Sequence, residues 1–234
     1  MASIRPPMTG FVARRVLVVG ASRGIGLELA RQYVQAGAHV TGTVRDDAGR
    51  ACLEGTGAKA LRLDVADVAS AASLGWQLDG EAFDVVIINA GVYGPRSSAL
   101  ETPSAADFDA VMHTNVLGPM RVLPQIAEVL APDARLAVIS SRMGSIGQRA
   151  GTAGWLYRAS KAALNSVLKD ASLALAGRAT CVAFHPGWVR TDMGGAGAEL
   201  DPADAVDSIR RTLAGLQPSQ NGSFLNHDGT PIDW

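Results

Sequence analysis

Short apolar runs alternate with longer stretches of helical periodicity along almost the whole chain. The runs are apolar at nearly every position, which is typical of parallel strands that helices cover on both sides. Parallel strands need crossover connections, so the alternation predicts an α/β fold: one doubly wound domain with a parallel sheet of about seven strands and helices on both faces. Six strands can be placed, at Val16–Val19, His39–Val44, Ala60–Leu63, Asp84–Ile88, Arg135–Ser140 and Thr180–Phe184.

No linker, repeat or low-complexity segment interrupts this order of elements. We therefore expect a single domain over residues 14–234, preceded by a loosely attached extension over residues 1–13. Apolar residues make up 47% of the chain, which is enough for a large core. The 21 basic and 22 acidic residues balance, which argues against a dedicated nucleic-acid-binding or membrane-surface protein.

Two kinds of sequence feature bear on the location of the protein and on metal binding: apolar segments and cysteines. No apolar run is long enough to span a bilayer, and the first residues lack the apolar core of a signal peptide. Cys52 and Cys181 are too few for a disulfide framework and have no metal-ligand spacing. We expect a cytoplasmic protein without a metal site.

A glycine-rich turn connects the first strand to the first helix. Glycines let the backbone turn tightly and let a pyrophosphate approach, and the helix N-terminus offers N–H donors and the positive end of its dipole. This placement predicts a Rossmann-like domain that binds a dinucleotide. The expected binding residues of the turn are Gly20, Ser22, Arg23, Gly24, Ile25 and Gly26.

Tyr157 and Lys161 are four residues apart, so they share one face of a helix. A nearby ammonium favours the phenolate and lowers the pKa of a tyrosine, which could then donate or accept a proton near neutral pH. The chain has only three lysines but 18 arginines, so a lysine is less expected by chance at this spacing than in most proteins. Ser141, at the carboxyl end of the fifth predicted strand, could stabilise charge on the same substrate oxygen.

Five motifs in this order resemble those of the short-chain dehydrogenase/reductase family. They are the GxxxGxG turn, the Asn89-Ala90-Gly91 turn, the ISSxxG segment ending at Gly144, the Tyr157–Lys161 pair and the PGxxxT segment from Pro186 to Thr191. The resemblance implies hydride transfer between a nicotinamide cofactor and a small carbonyl or alcohol substrate. Ser141, Tyr157 and Lys161 would then be catalytic, with Asn115 as a fourth catalytic residue that supports a water-mediated proton relay to the lysine.

The same resemblance assigns further residues to the cofactor. Asp64 and Val65 would contact the adenine, Lys161 would hold the nicotinamide ribose, and Thr191 would hold the carboxamide. The remaining positions that the motifs assign to the cofactor are Asn89, Ala90, Gly91, Tyr157, Pro186, Gly187 and Val189.

The second predicted strand ends in a sequence that bears on the choice of cofactor. No acidic residue precedes Arg45, and Arg45 with Arg23 could flank a 2′-phosphate, which favours NADP(H) over NAD(H). Asp46 lies twenty residues beyond Gly26 and could instead bind the ribose hydroxyls of NAD. Both alternatives remain open at this point.

The substrate is specified less well. Tyr157 lies sixteen residues after Ser141, more than is usual in the family, so 147–155 contains additional loop. That spacing, with YRxSKAALN and HPGWVxTDMGG, is similar to the C-factor and sniffer-type carbonyl reductase branch. Four residues next to the motifs could line an apolar substrate pocket or could be ordinary packing: Tyr93, Met143, Trp155 and Trp188. His113 and His185 lack an identifiable partner and are interpreted as structural.

The leading hypothesis is an NADPH-dependent carbonyl reductase. A dinucleotide-binding signalling protein of the C-factor type and an NAD-dependent alcohol dehydrogenase are the alternatives, and the complete catalytic set favours an enzyme. The predicted helix over 156–176 is apolar over much of its circumference, and its counterpart in the family packs across a two-fold axis. We therefore expect a homodimer or homotetramer.

Overall fold

A computed structural model of the chain describes residues 11–98 and 100–234. All its strands belong to one sheet, and every pairing between them is parallel. In chain order, β1 to β7 are Arg15–Val19, His39–Val44, Lys59–Arg62, Phe83–Ile88, Leu130–Ile139, Ala179–His185 and Ser223–Asn226.

Helices connect the strands. In chain order, α1 to α8 are Gly24–Gln35, Asp47–Glu54, Val68–Ala72, Leu74–Gln77, Ala105–Met112, Gly118–Ala127, Trp155–Ala174 and Pro202–Gly215. A π-helical turn over His113–Leu117 joins α5 to α6, and short 3₁₀ turns cover Arg142–Gly144 and Pro218–Gln220. The predicted α/β class and single parallel sheet of seven strands are confirmed.

The strand order is β3-β2-β1-β4-β5-β6-β7. The chain builds outward from β1 to β3, then returns to the other side of β1 with β4. Helix connections on the two sides of this reversal diverge, which leaves a crevice at the carboxyl ends of β1 and β4. This crevice positions the candidate site.

The core has two layers, one on each face of the sheet. Alternate residues of β1 point to opposite layers: Leu17 and Val19 pack with α4, α6 and α7, whereas Val16 and Val18 pack with α1, α2 and α8. All four are fully buried. This burial on both faces explains why the parallel strands read as continuous apolar runs.

β5 begins five residues earlier than the predicted start at Arg135. The pairing with β4 jumps from Leu130 to Arg135, and Asp133 in between has a φ of 58°. Pro132 and Asp133 break the apolar pattern that identifies a strand, although aspartate tolerates this left-handed backbone. The strand therefore contains an irregularity that periodicity does not reveal.

The predicted extension over residues 1–13 lies mostly outside the described residues, since only 11–13 fall within them. Phe11 and Ala13 pack against the layer formed by α1, α2 and α8, and the guanidinium of Arg135 lies 4.5 Å from the Phe11 ring centroid. Contact with the domain thus begins before residue 14. Among the described residues, no helix is both long enough and apolar enough to cross a membrane.

Candidate active site

Three cavities follow one another along the carboxyl edge of the sheet. A large cavity of about 660 Å³ lies between the segments after β4, β5 and β6, and a middle cavity of about 380 Å³ lies over β1 and β5. A small cavity of about 100 Å³ continues toward the ends of β2 and β3. Tyr157 lines both the large and the middle cavity, so its side chain lies where the two meet.

The glycine-rich turn forms the wall of the small and middle cavities. Gly20 has a φ of 86°, and a Cβ placed there would lie 2.7 Å from the backbone of Ala90, while a Cβ on Gly26 would overlap the carbonyl oxygen of Gly20. The turn is therefore as tight as only glycine permits. Asn89 fixes it from the neighbouring strand, since its Nδ2 donates to Gly20 O over 2.7 Å.

The beginning of α1 offers groups that fit an anionic cofactor. α1 starts at Gly24, and no side chain caps its N-terminus. N–H groups of a first helical turn need partners, and with the helix dipole they bind phosphate. The turn thus fits the pyrophosphate of a dinucleotide.

The small cavity contains residues that the sequence assigns to the adenosine of a cofactor. Arg45, Asp64 and Val65 line it. The Asp46 carboxylate is used elsewhere, because its Oδ1 accepts a 2.7 Å hydrogen bond from Gly49 N and caps α2. Asp46 is also absent from the residues that line these cavities, which weakens its interpretation as a ribose-binding acid.

Arg23 lies between the small and middle cavities and lines both. Its Nη1 lies 2.6 Å from Asp192 Oδ2, which belongs to the segment after β6. Both side chains are largely exposed, so this ion pair is weak and can be exchanged for another partner.

Tyr157, Ser141 and Lys161 come together although they derive from β5 and α7. Ser141 lies two residues after the end of β5, and Tyr157 lies in the first turn of α7. Both side chains line the large cavity. Lys161 follows one turn later and is 4% exposed. Its Nζ donates to Ile139 O over 2.8 Å and lies 5.7 Å from the Tyr157 ring centroid.

The pKa of Tyr157 differs from the sequence-based expectation. Burial raises it to about 12, with the Ser141 hydroxyl opposing the rise and the Tyr93 phenol adding to it. The sequence predicts that the nearby ammonium lowers this pKa, whereas in the structure burial dominates and the pKa is raised. Burial also lowers the pKa of Lys161, to about 8. At neutral pH the pair is a protonated phenol beside an ammonium.

Asn115 lies in the π-helical turn and is fully buried. Its Nδ2 donates to Val92 O and Ser160 Oγ, and its Oδ1 accepts from Val92 N over 2.8 Å. One lone pair of Oδ1 remains. A Cβ on Gly91 would lie 3.3 Å from Asn115 Oδ1 and 3.4 Å from Lys161 Nζ, so the absence of a side chain at Gly91 keeps a space between these atoms open.

The large cavity has a mixed lining. Tyr93, Met143 and Trp188 line it, as the sequence predicts for substrate residues, whereas Trp155 does not. Trp155 begins α7 and is only half-buried there. The Tyr93 ring stacks on the Tyr157 ring with centroids 4.5 Å apart.

Sequence reasoning missed several residues of this lining: Arg96, Arg142, Gln148, Arg158 and His185. Arg142 and Arg158 directly follow Ser141 and Tyr157, and that adjacency was the signal that could have found them. Arg96 lies in a segment without periodicity, so no pattern placed it. His185 was interpreted as structural, yet it lies at the end of β6 and lines the cavity.

Among the described residues, no cluster of three or more His, Cys, Asp or Glu side chains could hold a metal ion.

Comparison with known proteins gives the same family as the motifs. The family model of short chain dehydrogenases matches residues 14–199. C-signal of Myxococcus xanthus is 40% identical over 154 residues, which cover 64% of this chain and 92% of that protein.

Two solved structures resemble the whole fold. A putative short-chain dehydrogenase/reductase from Burkholderia multivorans with bound NADP has a TM-score of 0.86 and 32% identity, covering 95% of this chain and 100% of that one. The carbonyl reductase Sniffer of D. melanogaster has a TM-score of 0.85 and 29% identity, covering 94% and 99%. Since the family match spans most of the chain, this protein belongs to the short-chain dehydrogenase/reductase family of oxidoreductases.

Proposed function

We propose that the protein is an NADPH-dependent carbonyl reductase. The observation that carries this proposal is the position of Tyr157: its side chain is buried where the large and middle cavities meet, and Ser141 lines the same large cavity. Burial raises the pKa of Tyr157 to about 12. A phenol that stays protonated at neutral pH is a proton donor, as carbonyl reduction requires. The similar Sniffer protein is itself a carbonyl reductase.

In this proposal a nicotinamide cofactor, when bound along the middle and small cavities, would supply the hydride that reduces the carbonyl carbon. Ser141 donates a hydrogen bond to the carbonyl oxygen, and Tyr157 gives that oxygen its proton as negative charge develops. After Tyr157 has given up its proton, the Lys161 ammonium stabilises the resulting phenolate. Lys161 has further N–H donors beyond the one given to Ile139 O, and they can hold the ribose and a water that returns the proton.

Asn115 completes the relay in this scheme. Asn115 Oδ1 and Lys161 Nζ border the same space beside Gly91. A water in that space would accept from Lys161 and donate to Asn115. The π-helical turn places Asn115 there, and such turns are frequent at functional sites.

NADPH is the proposed cofactor because of the charges at the adenosine end. Arg45 is exposed and lines the small cavity beside Arg23, whereas Asp46 is engaged in capping α2. A guanidinium binds a 2′-phosphate through charge-assisted hydrogen bonds. NADP is the cofactor named with the similar Burkholderia structure.

The test is NADPH oxidation, followed by absorbance, with a panel of aldehydes, diketones and quinones. NADH is assayed in parallel, and Tyr157→Phe serves as the matched variant because it removes only the hydroxyl. Turnover with NADPH that Tyr157→Phe abolishes is the expected result. Turnover that survives in Tyr157→Phe, or that prefers NADH, contradicts the proposal.

A signalling protein is the second candidate, favoured by the 40% identity with C-signal. A protein that only senses a dinucleotide needs the cofactor groove but neither Ser141 nor Tyr157. NADPH binding without turnover on any carbonyl compound would therefore favour this candidate.

We also propose that the protein is cytoplasmic and forms a homodimer or homotetramer through α7 and the helices before it. Phe108 on α5, Met120 on α6 and Leu173 on α7 are 47%, 52% and 66% exposed, which leaves apolar surface on this side. Light scattering after size-exclusion chromatography that shows only a 24.2 kDa species would contradict the assembly.

A further inference from the structure

The large cavity carries positive charge and no compensating negative charge. Arg96, Arg142 and Arg158 line it, and no aspartate or glutamate among the described residues does. The chain as a whole has a net charge of −1, so this concentration of one sign is local. A cavity lined by one sign of charge attracts ligands of the opposite sign.

The three arginines have no carboxylate partner within 4.0 Å in the part of the chain that the structure describes. Two other arginines near the same groove do have carboxylate partners, since Arg23 pairs with Asp192 and Arg190 pairs with Asp201. Unpaired guanidinium groups around a cavity keep their charge-assisted hydrogen bonds for a ligand.

Each of the three is nevertheless held in place by one neutral oxygen. Arg96 Nη2 donates to Met193 O over 3.1 Å, and Arg158 Nε donates to Ala153 O over 2.9 Å. Arg142 Nη2 donates to Asn226 Oδ1 over 2.8 Å. A guanidinium has five N–H donors, so one such bond orients the group and leaves most donors available.

These arginines lie close to the residues proposed to carry out the reaction. Arg142 and Arg158 are sequence neighbours of Ser141 and Tyr157. The Arg96 guanidinium lies 5.3 Å from the ring centroid of Tyr93, which stacks on Tyr157. Burial and the charges of Arg142 and His227 lower the pKa of His185, on the same cavity wall, to about 4, so His185 is neutral at pH 7.

The rest of the lining is apolar and aromatic. Tyr93, Met143, Trp188 and Met193 contribute rings and thioethers. Such surfaces bind the apolar body of a small molecule, while a few polar groups fix its orientation.

We propose that the substrate is an anionic carbonyl compound: an apolar or aromatic body with an aldehyde or ketone at one end and a carboxylate or phosphate at the other. This inference rests on the proposed reductase function, because Tyr157 marks the carbonyl end. The arginines bind the anionic group and take no part in the bond changes. The reaction adds one hydride to carbon and one proton to oxygen, so the anionic group leaves unchanged with the alcohol.

The experiment compares matched probes with NADPH: 4-carboxybenzaldehyde, its methyl ester, and 4-formylphenyl phosphate. The acid and the ester share the same ring and aldehyde and differ in charge. We expect kcat/KM for the acid or the phosphate to exceed that for the ester by about tenfold, in line with hydrogen bonds to a charged group. The better anion identifies which oxyacid the site takes.

Arg142→Gln and Arg158→Gln are the test variants, and Arg178→Gln is the control. Arg178 is exposed and donates to one backbone oxygen, Ala127 O, but lies outside the cavity. We expect each test variant to raise KM for the anionic probe about fivefold or more and to leave the ester unaffected. Equal turnover of acid and ester, or anion KM values unchanged in both variants, would overturn the proposal.

Binding measured by calorimetry separates this inference from the proposed function. Acid-selective binding that weakens in Arg142→Gln or Arg158→Gln, without turnover of any probe, would refute the reductase and keep the anion site. Turnover of the ester with no selectivity for the anions would keep the reductase and refute the anion site.

Discussion

The phenol rings of Tyr93 and Tyr157 are stacked, with centroids 4.5 Å apart and planes inclined by 23°. The first residue comes from the loop after β4 and the second from α7, so the contact joins two distant segments. Tyr93 buries the proposed proton donor and, through its own phenol, adds to the rise in the pKa of Tyr157. The pair therefore links the substrate cavity to the acid–base chemistry.

Tyr93→Phe keeps the stacked ring and removes the hydroxyl. We expect the pKa of Tyr157 to fall, because one of the groups that raises it is gone. Reduction requires the protonated phenol, so activity is present below this pKa and lost above it, and the alkaline limb of kcat should move to lower pH. Tyr33→Phe, at a buried tyrosine of α1, is the control that should leave the profile unchanged.

Gly91→Ala tests the proposed proton relay. The added methyl would enter the space between Asn115 Oδ1 and Lys161 Nζ, at 3.3 and 3.4 Å from them, and displace a bridging water. We expect kcat to fall roughly tenfold while the melting temperature changes little, since proton transfer contributes at least that much to such reactions. A kcat equal to that of the parent would argue against the relay.

Arg45→Ala tests the cofactor preference. Loss of a charge-assisted contact with the 2′-phosphate should raise KM for NADPH about tenfold and leave KM for NADH unchanged. Arg50→Ala, which removes an exposed arginine of α2 paired with Glu54, is the control. Equal losses with both cofactors would count against NADPH.

Lys161→Met tests the energetic consequence of burying an ammonium. Burial lowers the pKa of Lys161 from 10.5 to about 8, so between these values the folded protein binds fewer protons than the unfolded chain. The free energy of unfolding of the parent protein should then rise with pH in this window relative to Lys161→Met. Below pH 8 we expect Lys161→Met to be inactive but more stable than the parent protein by about 1–3 kcal/mol. This value already allows for the hydrogen bond to Ile139 O that the variant loses.

Urea unfolding of both proteins between pH 7 and pH 11 measures this difference. A constant difference across the range would mean that the charge of Lys161 is not destabilising in the folded state. Asp170→Asn, on the exposed side of α7, shows whether a charge change on this helix alone has the effect.

The sequence predicts the fold of the protein well because the patterns that identify strands and helices are local. Apolar runs locate most strands, and the spacing of Tyr157 and Lys161 gives their shared helix face. β7 went unassigned because only Phe224 and Leu225 are apolar within its four residues, and β5 was shortened because Pro132 and Asp133 interrupt its pattern. These features depend on pairing with distant strands.

The site is predictable to the extent that motifs carry it. The positions of Gly20 and Ser141 follow from the ends of β1 and β5, and the shared face of Tyr157 and Lys161 follows from their spacing on α7. The pKa of Tyr157 does not, because it is raised by burial, and to a lesser extent by Tyr93, and both depend on the tertiary structure. The balanced composition likewise does not reveal the charge of the large cavity, since that charge depends on which arginines the fold places around it.

The most direct test of the account is the transfer of deuterium from NADPH labelled at C4. Mass spectrometry of the alcohol from 4-carboxybenzaldehyde should show one deuterium on the carbinol carbon with the parent protein and no product with Tyr157→Phe. Bound NADPH that delivers no deuterium to any carbonyl compound would contradict the reductase, and labelled product from Tyr157→Phe would contradict the role of Tyr157.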